Sequence, residues 1–388
     1  MAHLLEEYSK NLGVKFSTPV VKDHFFPLSI DRYITISQEP TLDSKVYRHY
    51  DLVINLLKPF LQRAKIKVIQ LGGRDKINGV SAALNVSFKQ QSFILSNSLA
   101  HLGPDGALNH LASSKNIPTV TLFGNTFSQS NRPLFSKSST NVSLEPEWDK
   151  KPSFSNVDGK RQIDKIKPEI IAQNILNCLN IQKEKINFST KYIGDNFLTP
   201  TVEVVPTSFV DLNIPPNQLL SVRTDYGFDE YSFMQLCKKH KVSICADHLI
   251  QPQALQLIAS NVNHFYIIID RDWDTIPDSY FNTLKNLGIE LTFLAKEVED
   301  IPLLRNKYFD IPVRPYYQEQ PPPCEVGEDT KFLSSLRIIE GKKEYLSHAH
   351  WKKGLDNNNK VVDTPDYWKE LTHFYIYESK ENSQEESS

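Results

Sequence analysis

Short apolar runs alternate with amphipathic stretches through most of this chain. Residues 33–37, 66–71, 100–102 and 119–123 are runs of strand length. Between them, apolar positions recur three and four apart, the spacing of one helical face. Leu52, Val53, Leu56, Leu57, Phe60 and Leu61 make such a stripe within 47–63. A second helix is predicted over 88–95 and a short one over 79–84. From Ala107, the positions Leu108, Leu111 and Ala112 share a face. Asp105, just before, has the chemistry of an N-cap, and Pro104 and Gly106 punctuate the loop. Asn116-Ile117-Pro118 stops the helix, because the residue before a proline avoids the α region. Alternation of this kind predicts a parallel, doubly wound sheet. A long polar stretch, 125–164, follows, and a helix over 168–179 closes the first domain. Residues 182–191 read as a linker, while a short helix over 4–12 and an irregular lead-in precede the first strand.

The pattern then repeats. Strands are predicted at 202–205, 219–223, 242–245, 265–269 and 290–294, with helices at 231–239, 252–261 and 279–287. Phe265-Tyr266-Ile267-Ile268-Ile269 is apolar throughout, as a strand covered on both faces is. Pro321-Pro322-Pro323 marks a break. Beyond it, 332–339 and 343–346 read as a hairpin turned at Glu340-Gly341-Lys342, followed by a helix over 365–374 and a polar end. The expected class is α/β, with two Rossmann-like doubly wound domains and a small C-terminal hairpin-and-helix tail. The expected boundaries are 1–190, 191–320 and 321–388.

Composition narrows the function. A chain of 388 residues suits two or three domains. With a formal net charge of −2 and no basic stripe, nucleic acid is not an expected partner. No apolar run approaches a membrane span, and Glu6 and Glu7 stand where a signal peptide would be apolar. Cys178, Cys237, Cys245 and Cys324 show no metal spacing and read as free thiols in a reducing, cytoplasmic setting.

The candidate chemistry sits at residues 103–112. A loop that leaves the carboxyl end of a parallel strand and opens a helix presents unpaired N–H groups and the positive end of the helix dipole, which suits a phosphate. The N–H groups of Gly106, Ala107 and Leu108 are the expected cradle, and the small residues at 106 and 107 let a ligand come close.

The same stretch resembles the signature of glycosyltransferase family 9, the heptosyltransferase-like enzymes. There, Gly-x-Asp-Ser-Gly-Pro-Met-His-Leu-Ala precedes a strand ending Leu-Phe-Gly-x-Thr. Asp105, His110, Leu111-Ala112 and Phe123-Gly124-Asn125-Thr126 fall in register. Gly106-Ala107-Leu108-Asn109 departs from the pattern. Upstream, Tyr33-Ile34-Thr35-Ile36-Ser37, Lys45-Val46-Tyr47 and Val68-Ile69-Gln70-Leu71-Gly72-Gly73 are similar to the family's first strand, its Lys-x-Trp and its next strand with a glycine turn. The likeness spans about residues 31–135. It implies a GT-B fold and transfer of a sugar from a nucleotide-sugar donor to the hydroxyl of a glycan or other acceptor, by inverting displacement and without a metal cofactor. Lys45 would meet a phosphate and Asp75 the ribose. Asp105, Gly106, Ala107, Leu108, His110 and Thr126 would complete the donor site, with Asp105 and His110 either touching the ligand or orienting the loop.

The family places an acceptor domain ahead of this half, and only about thirty residues stand there in this chain. The run from Leu220 to Glu230 is similar to the family's opening strand and loop, Ile-x-x-Lys/Arg-x-x-x-x-Gly-Asp. Arg223 falls on the basic residue and Asp229 on the aspartate, with Phe228 in place of the glycine. The resemblance thus implies two halves in swapped order, Asp229 as general base, and a site in the cleft between the domains.

Each residue also has a plainer role: N-cap for Asp105, core histidine for His110, surface lysine for Lys45, turn residue for Asp75, helix cap for Asp229. Asp270-Arg271-Asp272-Trp273-Asp274 reads as an acidic loop rather than a metal site, and His348-Ala349-His350-Trp351 as a solvated hairpin end rather than a metal or stacking site. Two other classes stay open beside the transferase: a sugar-nucleotide epimerase or hydrolase, and a non-catalytic sugar- or protein-binding module.

Overall fold

The computed structural model describes residues 2–38, 42–73, 76–135, 140–149, 151–155, 161–181, 185–209, 211–212, 220–269, 276–316, 324–325, 327, 329–355 and 370–379. The chain divides into two compact units, Met1–Thr190 and Lys191–Lys380.

The first unit runs α1 (Leu4–Leu12), β1 (Tyr33–Ser37), α2 (Tyr50–Arg63), β2 (Lys67–Leu71), β3 (Ser81–Ala83), α3 (Phe88–Ser96), β4 (His101–Pro104), α4 (Ala107–Ser114), β5 (Thr119–Leu122), α5 (Ser128–Asn131), β6 (Asn141–Leu144) and α6 (Pro168–Cys178). Its strands lie in the order β3-β2-β1-β4-β5-β6, all parallel. β1 pairs with β2 through Thr35↔Ile69 and with β4 through Thr35↔His101. Strand order therefore reverses between β1 and β4, and it is outside the carboxyl ends at such a point that open α/β sheets bind ligands. Ile34, Ile36, Val53, Leu57, Leu102 and Ile171 belong to one buried apolar layer, and Leu71, Ile94, Leu95, Leu111 and Ala112 to another. Full burial of each of the Val, Leu and Ile side chains among them contributes about 1.5–3 kcal/mol over leaving it exposed.

Two expectations change here. Residues 81–83 are a strand rather than part of a helix: Ser81-Ala82-Ala83 extends the sheet beside Ile69, Gln70 and Leu71. The polar stretch 125–164 contains β6, whose residues are all half-buried and which pairs with β5 from Thr119↔Asn141 to Leu122↔Leu144.

The second unit opens with β7 (Phe188–Ile193), which carries the boundary. It continues with β8 (Thr201–Val205), β9 (Leu220–Arg223), α7 (Glu230–Lys239), β10 (Val242–Ala246), α8 (Pro252–Ile258), β11 (Val262–Ile269), α9 (Asp278–Asn286), β12 (Glu290–Ala295), α10 (Ile301–Lys307) and β13 (Val313–Pro315). β14 (Thr330–Ser334), β15 (Leu336–Glu340), β16 (Lys343–Tyr345), α11 (His348–Lys353) and β17 (Phe374–Ser379) complete it. The larger sheet has the order β13-β12-β11-β10-β9-β8-β15-β16, parallel except for β16. The 332–339 run is two strands broken at Ser335: β14 joins β17 and β7 in a small sheet, and β15 enters the large sheet beside β8. The hairpin of β15 and β16 is thus part of the unit's main sheet. Residues 365–369, half of the predicted 365–374 helix, lie outside the described residues; 370–373 form a single tight turn and Phe374 opens β17.

Candidate functional site

β4 delivers Pro104 and Asp105 to the switch point, and α4 starts two residues later. Gly106 is the N-cap, with extended backbone (φ −173°, ψ 176°) and no side chain to cap with. Asp105 does not cap the helix, because it stands one residue too early. Its N–H donates to Leu122 O at 2.9 Å, fixing the loop to β5. Among the described residues, no acceptor faces the N–H groups of Gly106, Ala107 and Leu108. These are the groups a helix start leaves for an anion.

The Asp105 carboxylate is buried and gathers several donors. Lys45 Nζ donates to its Oδ2 at 3.0 Å and to its backbone O at 2.9 Å. Thr126 Oγ1 and Asn131 Nδ2 each donate to Oδ2 at 3.3 Å, and His110 Nε2 stands 3.7 Å from Oδ1. Burial pushes the carboxyl up, but His110, Lys45 and Asn131 outweigh it and hold it below the ordinary range. Asp105 therefore stays ionised and orients Lys45 and the loop. It has none of the raised basicity that suits a general base. An ammonium has three protons, and two of those on Lys45 are spent on Asp105, which leaves one for the space beside it.

The packing beneath explains the glycines. A Cβ on Gly103 would overlap Ser37 Oγ and stand 2.6 Å from Asn109 Oδ1. Asn109 Nδ2 donates to Thr121 Oγ1 at 2.8 Å. His101, with Thr35 Oγ1 at 3.0 Å from its Nδ1, is fully buried, which pushes its pKa down to about 4 and keeps it neutral. Asn125 Nδ2 donates to Ser44 Oγ at 2.9 Å and to Ser155 O at 3.0 Å, tying the turn that carries Lys45 to the loop after β5.

Two cavities flank the loop. One, of about 530 Å³, is lined by Lys45, Asp105, Gly106, Ala107, His110 and Asn131 together with His3, Leu4, Leu5, Phe16, Ser17, Pro19 and Phe135. The other, of about 200 Å³, is lined by Ser37, Gln38, Gly72, Gly73, Phe88, Gln91 and Leu108, with Gly106 and Ala107 shared. The structure thus brings together Lys45, Asp105, Gly106, Ala107, Leu108 and His110. Thr126 sits behind Asp105 and lines neither cavity. Asp75 lies outside the described residues. Asn131 and Phe16 were missed, since a polar loop residue and an aromatic in a lead-in carry no local sign of function.

In the second unit Asp229 is the N-cap of α7. Its Oδ2 accepts the Ser232 N–H at 2.8 Å, the carboxylate is exposed, and that hydrogen bond lowers its pKa. Arg223, the residue placed on the family's basic position, is buried and engaged. It donates through Nε and Nη2 to Asp225 at 2.8 and 2.6 Å, and through Nη1 to Glu203 at 2.9 and 3.1 Å. Its guanidinium lies 3.9 Å from the centre of the Tyr226 ring, which stacks on Trp351 at 4.3 Å. His348 corrects an expectation. It is no solvated hairpin end: its Nε2 is 2.7 Å from Glu203 Oε2 and its Nδ1 is 2.9 Å from Glu370 Oε1. Burial pulls the imidazole down, but the Glu203 and Glu370 carboxylates outweigh it and raise it to about 10. Among the described residues no group of three or more His, Cys, Asp or Glu is placed to hold a metal ion. Asp270–Asp274 lie outside them. Also among the described residues, no helix is long and apolar enough to cross a membrane, and all four cysteines are free thiols.

Residues 31–162 match the family model of glycosyltransferase family 9 (heptosyltransferase), which bears out the resemblance read from the sequence over that segment. Among curated proteins, none matches. Among solved structures, the chain is similar to the glycosyltransferase family 9 protein of Veillonella parvula DSM 2008, at 14% identity over 45% of this chain and 50% of that one, with a TM-score of 0.33. It is also similar to the E. coli heptosyltransferase WaaC with ADP, at 16% identity over 45% and 54%, TM-score 0.31. A third is the E. coli ADP-heptose lipopolysaccharide heptosyltransferase II, at 12% over 46% and 52%, TM-score 0.31. The chain spans about half the length of each of these structures.

Proposed function

We propose that this protein is a glycosyltransferase whose first unit binds a nucleoside-diphosphate sugar at the loop from Pro104 to Leu108. The observation that carries the reading is the register of the family-matched segment on the site. Asp105 and His110 of the signature and the upstream Lys45 converge on one helix start, at the switch point of a parallel sheet. The diphosphate would lie on the N–H groups of Gly106, Ala107 and Leu108, with the remaining Lys45 proton beside it. The nucleoside would occupy the smaller cavity, where Gln38 and Gln91 offer amide donors and acceptors and Phe88 an aromatic face. The sugar would occupy the larger one. Transfer to an acceptor hydroxyl would be a direct, inverting displacement with Asp229 as base. That assignment stands on the resemblance of the 220–229 segment alone.

The test is binding of ADP, GDP and UDP by calorimetry, alongside Lys45→Ala. One diphosphate is expected to bind at least tenfold more tightly than the others, with the affinity lost in the variant, whose melting temperature falls because Asp105 loses a buried partner but whose transition stays cooperative. A panel in which no diphosphate binds would move the protein to the class of binding modules.

A further inference from the structure

The segment ahead of β1 does more than lead in. His3 Nδ1 accepts the Leu5 N–H at 3.2 Å and its Nε2 is 2.9 Å from Arg132 O, so the start of α1 is fastened to the loop after α5. Glu6 closes a capping box with His3, and Gly13 ends the helix in the left-handed region (φ 64°). Further on, Lys115 Nζ donates to Asp23 at 2.9 and 3.1 Å, and Ser96 Oγ donates to it at 3.0 Å. The segment is therefore held at both ends. Between those anchors Phe16 meets Phe135 edge to face, with ring centres 6.3 Å apart at 84°. Phe16 is still 43% exposed, a large apolar surface left open where it borders the larger cavity.

We propose that residues 3–19 form the sugar-facing wall of the donor pocket, with Phe16 as the platform for the C–H face of the sugar ring. The proposal rests on the nucleotide-sugar reading of the loop. The smaller cavity takes the nucleoside, so whatever hangs from the far phosphate enters the larger one. The lining of that space is mixed: Lys45, His110 and Asn131 offer polar groups to ring hydroxyls, and Leu4, Leu5, Phe16 and Phe135 offer carbon, with His3 and Ser17 also bordering it. A pyranose is mixed in the same way, with hydroxyls around its rim and C–H groups on its face. A bare phosphate has no use for the apolar lining, and the nucleoside is already placed against Phe88 in the smaller cavity. Phe16 is thus a specificity residue for the sugar, supplied by a part of the chain outside the family-matched segment.

The experiment compares each nucleoside diphosphate with its sugar conjugate: ADP with ADP-glucose, GDP with GDP-mannose, UDP with UDP-glucose. Affinities are measured by calorimetry on the full chain and on Phe16→Ala and Phe16→Tyr. For the pair that binds, Phe16→Ala is expected to weaken the nucleotide sugar roughly three- to tenfold, as loss of one aromatic contact does, and to leave the diphosphate within about twofold. Phe16→Tyr keeps the ring and should restore the sugar's affinity. Hydrogen exchange gives a second reading: amides of residues 4–19 should slow with the nucleotide sugar and not with the diphosphate. Equal effects on both ligands, or none on either, overturn the wall while leaving the diphosphate site standing. Absence of binding by every diphosphate overturns the reading of the loop and this inference with it.

Discussion

At the start of α7 one carboxylate carries two claims. Asp229 caps the helix through the Ser232 N–H, and the resemblance also offers it as the base. Asparagine caps as well as aspartate does but cannot take a proton. Asp229→Asn is therefore expected to hold the melting temperature within a degree or two, while turnover of the donor falls by about 10²–10⁴-fold if the carboxylate is the base. Turnover that survives would leave Asp229 with capping alone. At this scale the sequence showed the residues that carry charge or stand in a motif. Lys45, Asp105 and His110 were visible, and the structure joins them. It could not show that Asp105 would be turned inward as a hub, since that depends on Thr126 and Asn131 arriving from the far side of β5. Nor could it show that Arg223 and His348, 125 positions apart, would share the Glu203 carboxylate.

For elements, α4 offers the sharpest test. Ala107 is its first residue and is exposed. An acidic side chain in the first turn favours the helix dipole by about 0.3–1 kcal/mol, yet it places a negative charge where an anion would sit. Ala107→Asp is expected to leave stability unchanged or slightly higher and to abolish binding of the nucleoside diphosphate, read by a melt and by calorimetry on one sample. Loss of binding with loss of stability would point to damage rather than to the site. Most strands and helices were legible because apolar runs and stripes are local signals. Those misread are short or lie at breaks. β3 has three residues at a sheet edge, β6 is half-buried and polar, and β14 and β15 run together in sequence but part at Ser335 to serve different sheets. Their pairing partners decide them, and these are distant in the chain.

Across the whole molecule, each unit has its own apolar core, and the loop from Pro104 to Leu108 belongs to the first. A diphosphate that binds the folded first unit should raise the transition of that unit by mass action. The charged cluster of the second unit sets a different dependence. His348 is raised from 6.5 to about 10, so its contribution is complete below pH 6.5 and is lost as pH climbs through about 10. Glu203 is lowered from 4.5 to about 2. Burial pushes it up, but Arg223 and His348 outweigh that, so its contribution is complete above pH 4.5 and fades toward pH 2. Chemical denaturation followed from pH 6 to 10.5 is expected to show the second unit weakening on the alkaline side. His348→Gln should flatten that slope, and a slope unchanged by the substitution would remove His348 from the account.

The small sheet of β14, β17 and β7 sets an order in time. Gly194 N–H donates to Phe374 O at 2.8 Å and Asn196 N–H to Thr372 O at 2.7 Å, so the strand that opens the second unit is completed by nearly the last residues described. Roughly 180 residues separate the two partners, and a ribosome adding about 5–20 residues per second takes roughly 10–40 s to deliver the second. During that interval the strands of the first unit are already outside and able to pair, while β7 waits with an open edge. A chain stopped short of Phe374 would keep that edge for good, and would be the form most prone to stick to its neighbours.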